Sequence, residues 1–318
     1  MRIAVTSRIF WMVPQLQQEL REAFPNIDIR FNPGEWTYEG DSLVDFVQGC
    51  DTVLISLERF TPGVLDRLPE LRTIVCVSAG LDHVDPALLH ARGIRIGWKA
   101  GVNKTSVAEL TIWMMIGALR RAHEFAVGLR QGAAWPRDRA ARSLEGSVVG
   151  IHGCGNIGKA VAILAKAFGA SVIACDRVDY ADFYAAHGIE PVTPDVLWAR
   201  SDVLSVHLPV NASTRGLYTG EVFDRMKPGA VFINAARGML VDEAALADRL
   251  ASGHIAAAAI DAFHGEPTPD RRLIELPNVI ATPHIGASCI AGFLAMGRSA
   301  IGCIQDNFLP EPGVYPFD

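Results

Sequence analysis

Three polar side chains each follow a short apolar run in the second half of the chain. Arg237 follows Val231-Phe232-Ile233-Asn234-Ala235-Ala236, Glu266 comes after Ala258-Ala259-Ile260-Asp261-Ala262-Phe263-His264-Gly265, and His284 follows Val279-Ile280-Ala281-Thr282-Pro283. Open α/β sheets place their ligands at such strand ends. A guanidinium there can hold a carboxylate through two parallel hydrogen bonds and fix its orientation. An imidazole can take a hydroxyl proton or return it to a ketone. A carboxylate hydrogen-bonded to that imidazole would favour the imidazolium and set the tautomer. Singly, these residues read as a surface salt bridge, a loop and a turn; their recurrence at successive strand ends is what points to chemistry.

A second constellation lies upstream. The run Ser147–His152 leads into Gly153-Cys154-Gly155-Asn156-Ile157-Gly158, then a helix-like Lys159–Phe168, a second strand-like run Ser171–Cys175, and the acid Asp176. Strand, glycine loop, helix, strand and acid in that order are the context a dinucleotide fingerprint requires. Gly153 permits the turn, Gly155 lets backbone N–H groups approach a pyrophosphate, and Gly158 lets the helix pack close to the strand. The phosphates would meet the positive end of the helix. Asp176 would accept from the adenosine ribose hydroxyls and repel a 2′-phosphate, favouring NAD over NADP; adjacent Arg177 tempers that preference. His152 and Cys154 read as partly buried packing residues facing the sheet or the cofactor. With a nicotinamide at hand, the Arg, Glu and His set suits reversible hydride transfer at C2 of a 2-hydroxy acid.

The elements that must position these residues are legible as an alternation. Ile3–Val5, Val53–Ile55, Ile74–Val77, Val148–His152, Val172–Cys175, Val203–Val206, Val231–Asn234 and Ala257–Ile260 are strand candidates. Pro14–Ala23, Ala160–Phe168 and Glu243–Ser252 read as helices. That order predicts an α/β protein of doubly wound parallel sheets covered by helices on both faces. Ala256–Ala259 has the weakest strand propensity. The chain falls into two blocks, expected as a discontinuous substrate-binding domain of residues 1–100 plus 287–318 and a cofactor-binding domain of residues 101–286. A long helix near Thr105 opens the second block. The helix candidate Ile290 to Phe308 is expected to cross back to the first.

Composition excludes other classes. The 318 residues carry a formal net charge of −6 and half of them are hydrophobic. A negative surface argues against nucleic acid, and the cluster Arg137, Arg139, Arg142 reads as a solvated loop. Six scattered cysteines with no metal-ligand spacing imply free thiols in a reducing compartment and no metal site. The chain opens directly on a strand-like run, so a cytoplasmic protein without a signal peptide is expected. Leu110 to Leu119 is about half a bilayer span and reads as a buried helix rather than a membrane anchor.

Across nearly its whole length the sequence resembles the D-isomer-specific 2-hydroxyacid dehydrogenases. The matching segments are Ser78–Asp85, Gly101-Val102-Asn103 with Ser106–Glu109, Gly153–Gly158, His207-Leu208-Pro209, Asn234–Gly238, Asp261-Ala262-Phe263 with Glu266-Pro267, and Thr282–Gly286. The resemblance implies two Rossmann-like domains, an active site in the interdomain cleft, and Arg237, Glu266 and His284 as the catalytic set. It implies that backbone N–H groups around Ser78, Ala79 and Gly80 join Arg237 and His284 in binding a small 2-hydroxy or 2-oxo acid. Cofactor contacts implied beyond Gly153, Gly155, Asn156, Ile157, Gly158, Asp176 and Arg177 are of three kinds. His207, Leu208 and Pro209 would lie near the adenine; Ala235, Ala236 and Arg237 near the nicotinamide ribose; Asp261 near the carboxamide, with His284 and Gly286 also in the cofactor-binding set. For His207 a packed core histidine remains an equal reading. A homodimer through the cofactor domains is also implied, with the long helix after Asn103 in the interface.

Departures from the family pattern bear on the substrate. Ile55 stands where phosphoglycerate-oxidising relatives usually carry an arginine, and the long C-terminal regulatory extension of some of them has no counterpart here. Lys99 meets either a second acidic group or solvent, and Trp135 either a partner's cleft or a packing contact. Two other classes stay open: a nicotinamide-sensing, co-repressor-like binding protein, and a phosphite-type dehydrogenase.

Overall fold

The computed structural model describes residues 1–133 and 141–317. Trp135, Arg137 and Arg139 lie outside them. The chain divides into two compact units, Met1–Asn103 with Cys289–Asp318, and Lys104–Ser288. Each is an α/β layer structure on an all-parallel sheet.

The first unit holds β1 (Arg2–Val5), β2 (Asp28–Phe31), β3 (Thr52–Ile55), β4 (Thr73–Cys76) and β5 (Arg95–Gly97), in the order β2-β1-β3-β4-β5. Successive residues of a strand face opposite sides of the sheet. On one face Ala4, Val53, Ile55, Ile74, Cys76 and Ile96 form a core with Leu43, Val47, Leu65 and Leu89. Helices Pro14–Ala23 and Ile290–Cys303 also belong to this unit and pack on each other, with Leu16 so close to Gly297 that a side chain there would collide with it. The C-terminal helix ends at Cys303 rather than reaching Phe308. The apolar run continues past that point, but Phe308 leaves the helix and makes a bridge to Ile96.

The second unit holds β6 (Val148–His152), β7 (Ser171–Cys175), β8 (Glu190–Pro191), β9 (Val203–Val206), β10 (Ala230–Asn234), β11 (Ile255–Ile260) and β12 (Val279–Ala281). Their order is β12-β11-β10-β9-β6-β7-β8. Strand order reverses between β6 and β9, the switch point at which such sheets bind ligands. Val149, Ile151, Val203, Ile233, Ala257 and Ala259 face helices Lys104–Leu119 and Asn156–Ala167 on one side, while Leu204, Val206, Phe232, Ala258 and Ile260 face the other. Ala258 and Ala259 are therefore strand because a neighbour lies on each edge and both faces are occupied, which overrides their weak propensity, while Ala256 is exposed at a register shift. The glycine-loop helix starts at Asn156, four residues ahead of its apolar pattern, because its first turn is the loop itself. Helix Lys104–Leu119 is buried on one side only: Trp113 is 52% exposed. Among the described residues no helix is long and apolar enough to cross a membrane, and no cluster of His, Cys, Asp or Glu could hold a metal.

Candidate active site

The glycine loop is shaped by contacts only glycine allows. Gly153 has φ +93° and donates its N–H to the Cys175 carbonyl at 2.9 Å. A Cβ on Gly158 would lie 2.0 Å from the Gly153 carbonyl oxygen, whereas one on Gly155 would meet nothing within 4 Å. The space over Gly155 is thus an open cradle. The first N–H groups of helix Asn156–Ala167, at Asn156, Ile157 and Gly158, have no side-chain cap and no partner within the helix. Asp176, at the end of β7, accepts from Cys154 N–H at 2.5 Å and from Val178 N–H at 2.9 Å. The carboxylate is therefore held beside the loop, with exposed Arg177 next to it. These features fit a dinucleotide pyrophosphate and ribose.

The neighbours of the loop are packing groups. Cys154 is buried, and burial pushes its thiol up to about 11, so it is no nucleophile at neutral pH. His152 shares a 2.6 Å hydrogen bond with the Tyr218 hydroxyl, and burial lowers it to about 4. His207 hydrogen-bonds Ser205 through Nε2 at 2.9 Å, while its Nδ1 is buried without a partner among the described residues. Burial lowers it to about 3, so it is neutral. An orphaned ring nitrogen at the end of β9 keeps both readings of His207 open. Leu208 is half-buried and Pro209 exposed just beyond it.

At the other end of the same sheet edge, the segments after three adjacent strands carry Arg237, Glu266 and His284. Glu266 Oε2 lies 2.9 Å from His284 Nδ1, and Glu266 Oε1 accepts from Phe263 N–H at 2.8 Å. Burial alone would raise the Glu266 carboxyl, but the hydrogen bonds from His284 and Phe263 outweigh it and hold it below the usual range. The hydrogen bond to Glu266 raises the His284 imidazole, against burial and the nearby Arg237 charge. His284 itself adopts φ +52°, a left-handed conformation uncommon outside glycine. Arg237 follows β10, half-buried, and donates to the Ala236 carbonyl at 2.8 Å.

Two buried residues at these strand ends organise the turns. Asn234 is 1% exposed; its amide accepts from Ala236 N–H at 3.1 Å and donates to the Arg237 carbonyl at 3.0 Å. Asp261 is also 1% exposed. Its Oδ1 accepts from the Thr282 hydroxyl at 2.6 Å and Ile285 N–H at 2.8 Å, and Oδ2 accepts from Gly286 N–H at 2.8 Å. A carboxylate offers about four acceptor positions, and these bonds fill three of them. Asn234 was not a sequence-level candidate; an Asn bonding its own backbone two and three residues on is the signal that marks it. In the first unit, Ser78, Ala79 and Gly80 follow β4, the Ser78 hydroxyl donating to the Gly80 carbonyl at 2.8 Å and the Trp98 indole to the Ala79 carbonyl at 3.3 Å. Lys99 is exposed.

Comparison with known proteins brings the two constellations under one description. Residues 112–286 match the family model for the D-isomer specific 2-hydroxyacid dehydrogenase, NAD binding domain. The chain is 38% identical over 264 residues to the D-3-phosphoglycerate dehydrogenase of Mycobacterium bovis, covering 82% of this chain and 49% of that one. It thus spans about half the length of that relative. Against the hydroxypyruvate reductase of Thermotoga maritima it is 35% identical over 254 residues, 79% of this chain and 82% of the relative. A crystal structure of a glyoxylate reductase from Paecilomyes thermophila superposes with a TM-score of 0.84 at 26% identity, covering 96% of this chain and 94% of that one. A glycine cradle with its acid at one end of a sheet edge, and a paired Glu and His at the other, are what this family's NAD-binding domain would need; the chain belongs to the D-isomer specific 2-hydroxyacid dehydrogenase family.

Proposed function

We propose that the protein transfers a hydride between NAD(H) and C2 of a small D-2-hydroxy or 2-oxo acid of the glyoxylate or hydroxypyruvate kind. The observation that carries this reading is the 2.9 Å pair of Glu266 and His284 on the sheet edge that also carries the glycine cradle. NAD, when bound, supplies the hydride acceptor, and NADH the donor, at the nicotinamide ring. Gly153, Gly155, Asn156, Ile157 and Gly158 would hold its pyrophosphate; Asp176 and Arg177 its adenosine ribose; His207 to Pro209, Ala235 to Arg237, Asp261, His284 and Gly286 the remainder. Arg237 binds and orients the substrate carboxylate, which holds C2 at a fixed distance from the ring. His284 delivers a proton from Nε2 to the ketone oxygen during reduction and takes it back during oxidation. Glu266 keeps the other ring nitrogen protonated and stabilises the imidazolium. Ser78, Ala79 and Gly80 stay in the substrate set on the resemblance alone.

Ile55, standing where the resemblance places the usual arginine of phosphoglycerate-oxidising relatives, supports a substrate other than 3-phosphoglycerate. A homodimer is supported by a groove of about 690 Å³ on the second unit, lined by Ile112, Trp113, Ile116, Leu164 and Phe168. Its occupant in this reading is the same face of a second copy.

The test is steady-state NADH oxidation, with NADPH in parallel, against glyoxylate, hydroxypyruvate, pyruvate and bulkier 2-oxo acids, with phosphite plus NAD as a control. Turnover on a short 2-oxo acid is expected. His284→Ala should then lower turnover by roughly 10²–10⁴, the usual scale of general acid–base assistance, while NADH still binds. Silence across the panel with NADH bound would overturn the reading in favour of a sensing role.

A further inference from the structure

The two buried residues under the proposed site are connected. Asp261 N–H donates to the Asn234 carbonyl at 2.9 Å, across the β10–β11 ladder. Asn234 closes the turn that presents Arg237, through one donated and one accepted bond. Asp261 receives three donors from the segment 282–286 and so encircles His284, which sits in the left-handed region between them. Left-handed backbone at a side-chain-bearing residue persists only where its surroundings over-determine it. Here the Asp261 carboxylate binds the residues on either side, while His284 N–H donates to the Thr282 carbonyl at 3.0 Å and its ring meets Glu266. The two turns also touch a common loop: a Cβ on Gly238, next to Arg237, would lie 1.9 Å from the backbone of Phe263, whose N–H is bonded to Glu266.

We propose that Asn234 and Asp261 act as one buried positioning pair, Asn234 setting the Arg237 turn and Asp261 the His284 loop, so that the two side chains keep a fixed spacing. The chemistry demands such a device. A 2-oxo acid held by its carboxylate has its ketone carbon directly bonded to the carboxyl carbon, and a small displacement of either partner misaligns proton transfer. The side-chain chemistry of the pair is specific as well. Asn234 needs a donor and an acceptor on one planar group. Asp261 needs acceptors on both oxygens and no donor, because every group it meets within 2.8 Å gives a hydrogen. An amide at 261 would turn its NH₂ toward an N–H.

The inference rests on the dehydrogenase reading, so its first readout does not need turnover. The His284 imidazole is titrated by NMR in the chain without cofactor, its resonance identified by its loss in His284→Ala. Asp261→Asn is expected to lower the titration midpoint of His284, raise KM for the 2-oxo acid and cut kcat at least tenfold at saturating NADH. Asn234→Asp keeps the acceptor but sets a carboxylate oxygen against the Arg237 carbonyl; KM should rise more than kcat falls. Thr282→Val deletes one of the three bonds and keeps the charge, so kcat should fall several-fold with the midpoint unmoved. This mild variant carries the test if Asp261→Asn does not fold. The double variant should lose less than the product of its singles, since both break one device. Losses that multiply, or a His284 midpoint unmoved in Asp261→Asn, would overturn the pairing. An inactive wild type would instead overturn the reading of function and leave the titration to decide the pair.

Discussion

At the scale of single residues, the site depends on a charge relation between Glu266 and His284. Because the hydrogen bond to Glu266 raises the imidazole above its ordinary value, His284 stays protonated to higher pH than a free histidine. Reduction of a 2-oxo acid uses the imidazolium, so the rate is full below that raised value and is lost as pH climbs through it. Oxidation uses the neutral ring and rises through the same value. Glu266→Gln removes the carboxylate that favours the charged form, so both limbs should move to lower pH. Measuring kcat against pH in both directions checks this; coincident profiles for variant and wild type would remove Glu266 from the relay. Arg237, Glu266 and His284 were legible in the sequence because each follows an apolar run, a local pattern. Asp261 was legible as a strand-end acid, but its engagement was not. Its hydrogen-bond partners lie 21 to 25 residues further on, and no local spacing encodes a contact made by the next strand's loop.

Among elements, strands with apolar runs were readable and those without were not. β6 and β9 fall where their β-branched and aliphatic residues predict. β2 reads Asp-Ile-Arg-Phe, half of it charged, and β8 is Glu-Pro, so neither offers a run to detect. Both are strands because a neighbour supplies the ladder. The helix after the glycine loop was placed late for a related reason: its first turn contains Gly158, whose value is close approach rather than propensity. Gly158→Ala puts a methyl 2.0 Å from a backbone carbonyl. Backbone cannot yield as a flexible side chain does, so about 1–3 kcal/mol of stability should be lost, the usual range for overpacking. Urea unfolding reads the stability and NADH fluorescence the affinity; both should weaken together. Unchanged unfolding would mean that helix and strand are not in contact at this point.

For the whole molecule, the alternation of strand and helix made the parallel α/β class legible, and the resemblance added expectations that periodicity could not: which sheet edge is used and what associates with what. The apolar stretch Leu110–Leu119 reads as a buried helix, yet Trp113 is 52% exposed and Phe168 50%. An exposed apolar surface of that kind calls for a cover. If a second copy provides it, Trp113→Glu should bury an unpaired charge in the contact and shift sedimentation from dimer to monomer, leaving NADH binding by each chain in place. A wild type that sediments as a monomer would rule the second copy out.

The ends of the two sheets bear on how such a molecule survives at high concentration. β8 runs for two residues and finishes on Pro191, which has no N–H to give; β12 runs for three. In the smaller sheet, β5 is shielded by the bridge from Phe308, and β2 alternates exposed charge along its length. A bare outer strand is a template on which other chains can add. Among the described residues none of these four borders offers one, so growth by strand addition, the usual route from a folded β-rich protein to an insoluble deposit, has no starting row on them.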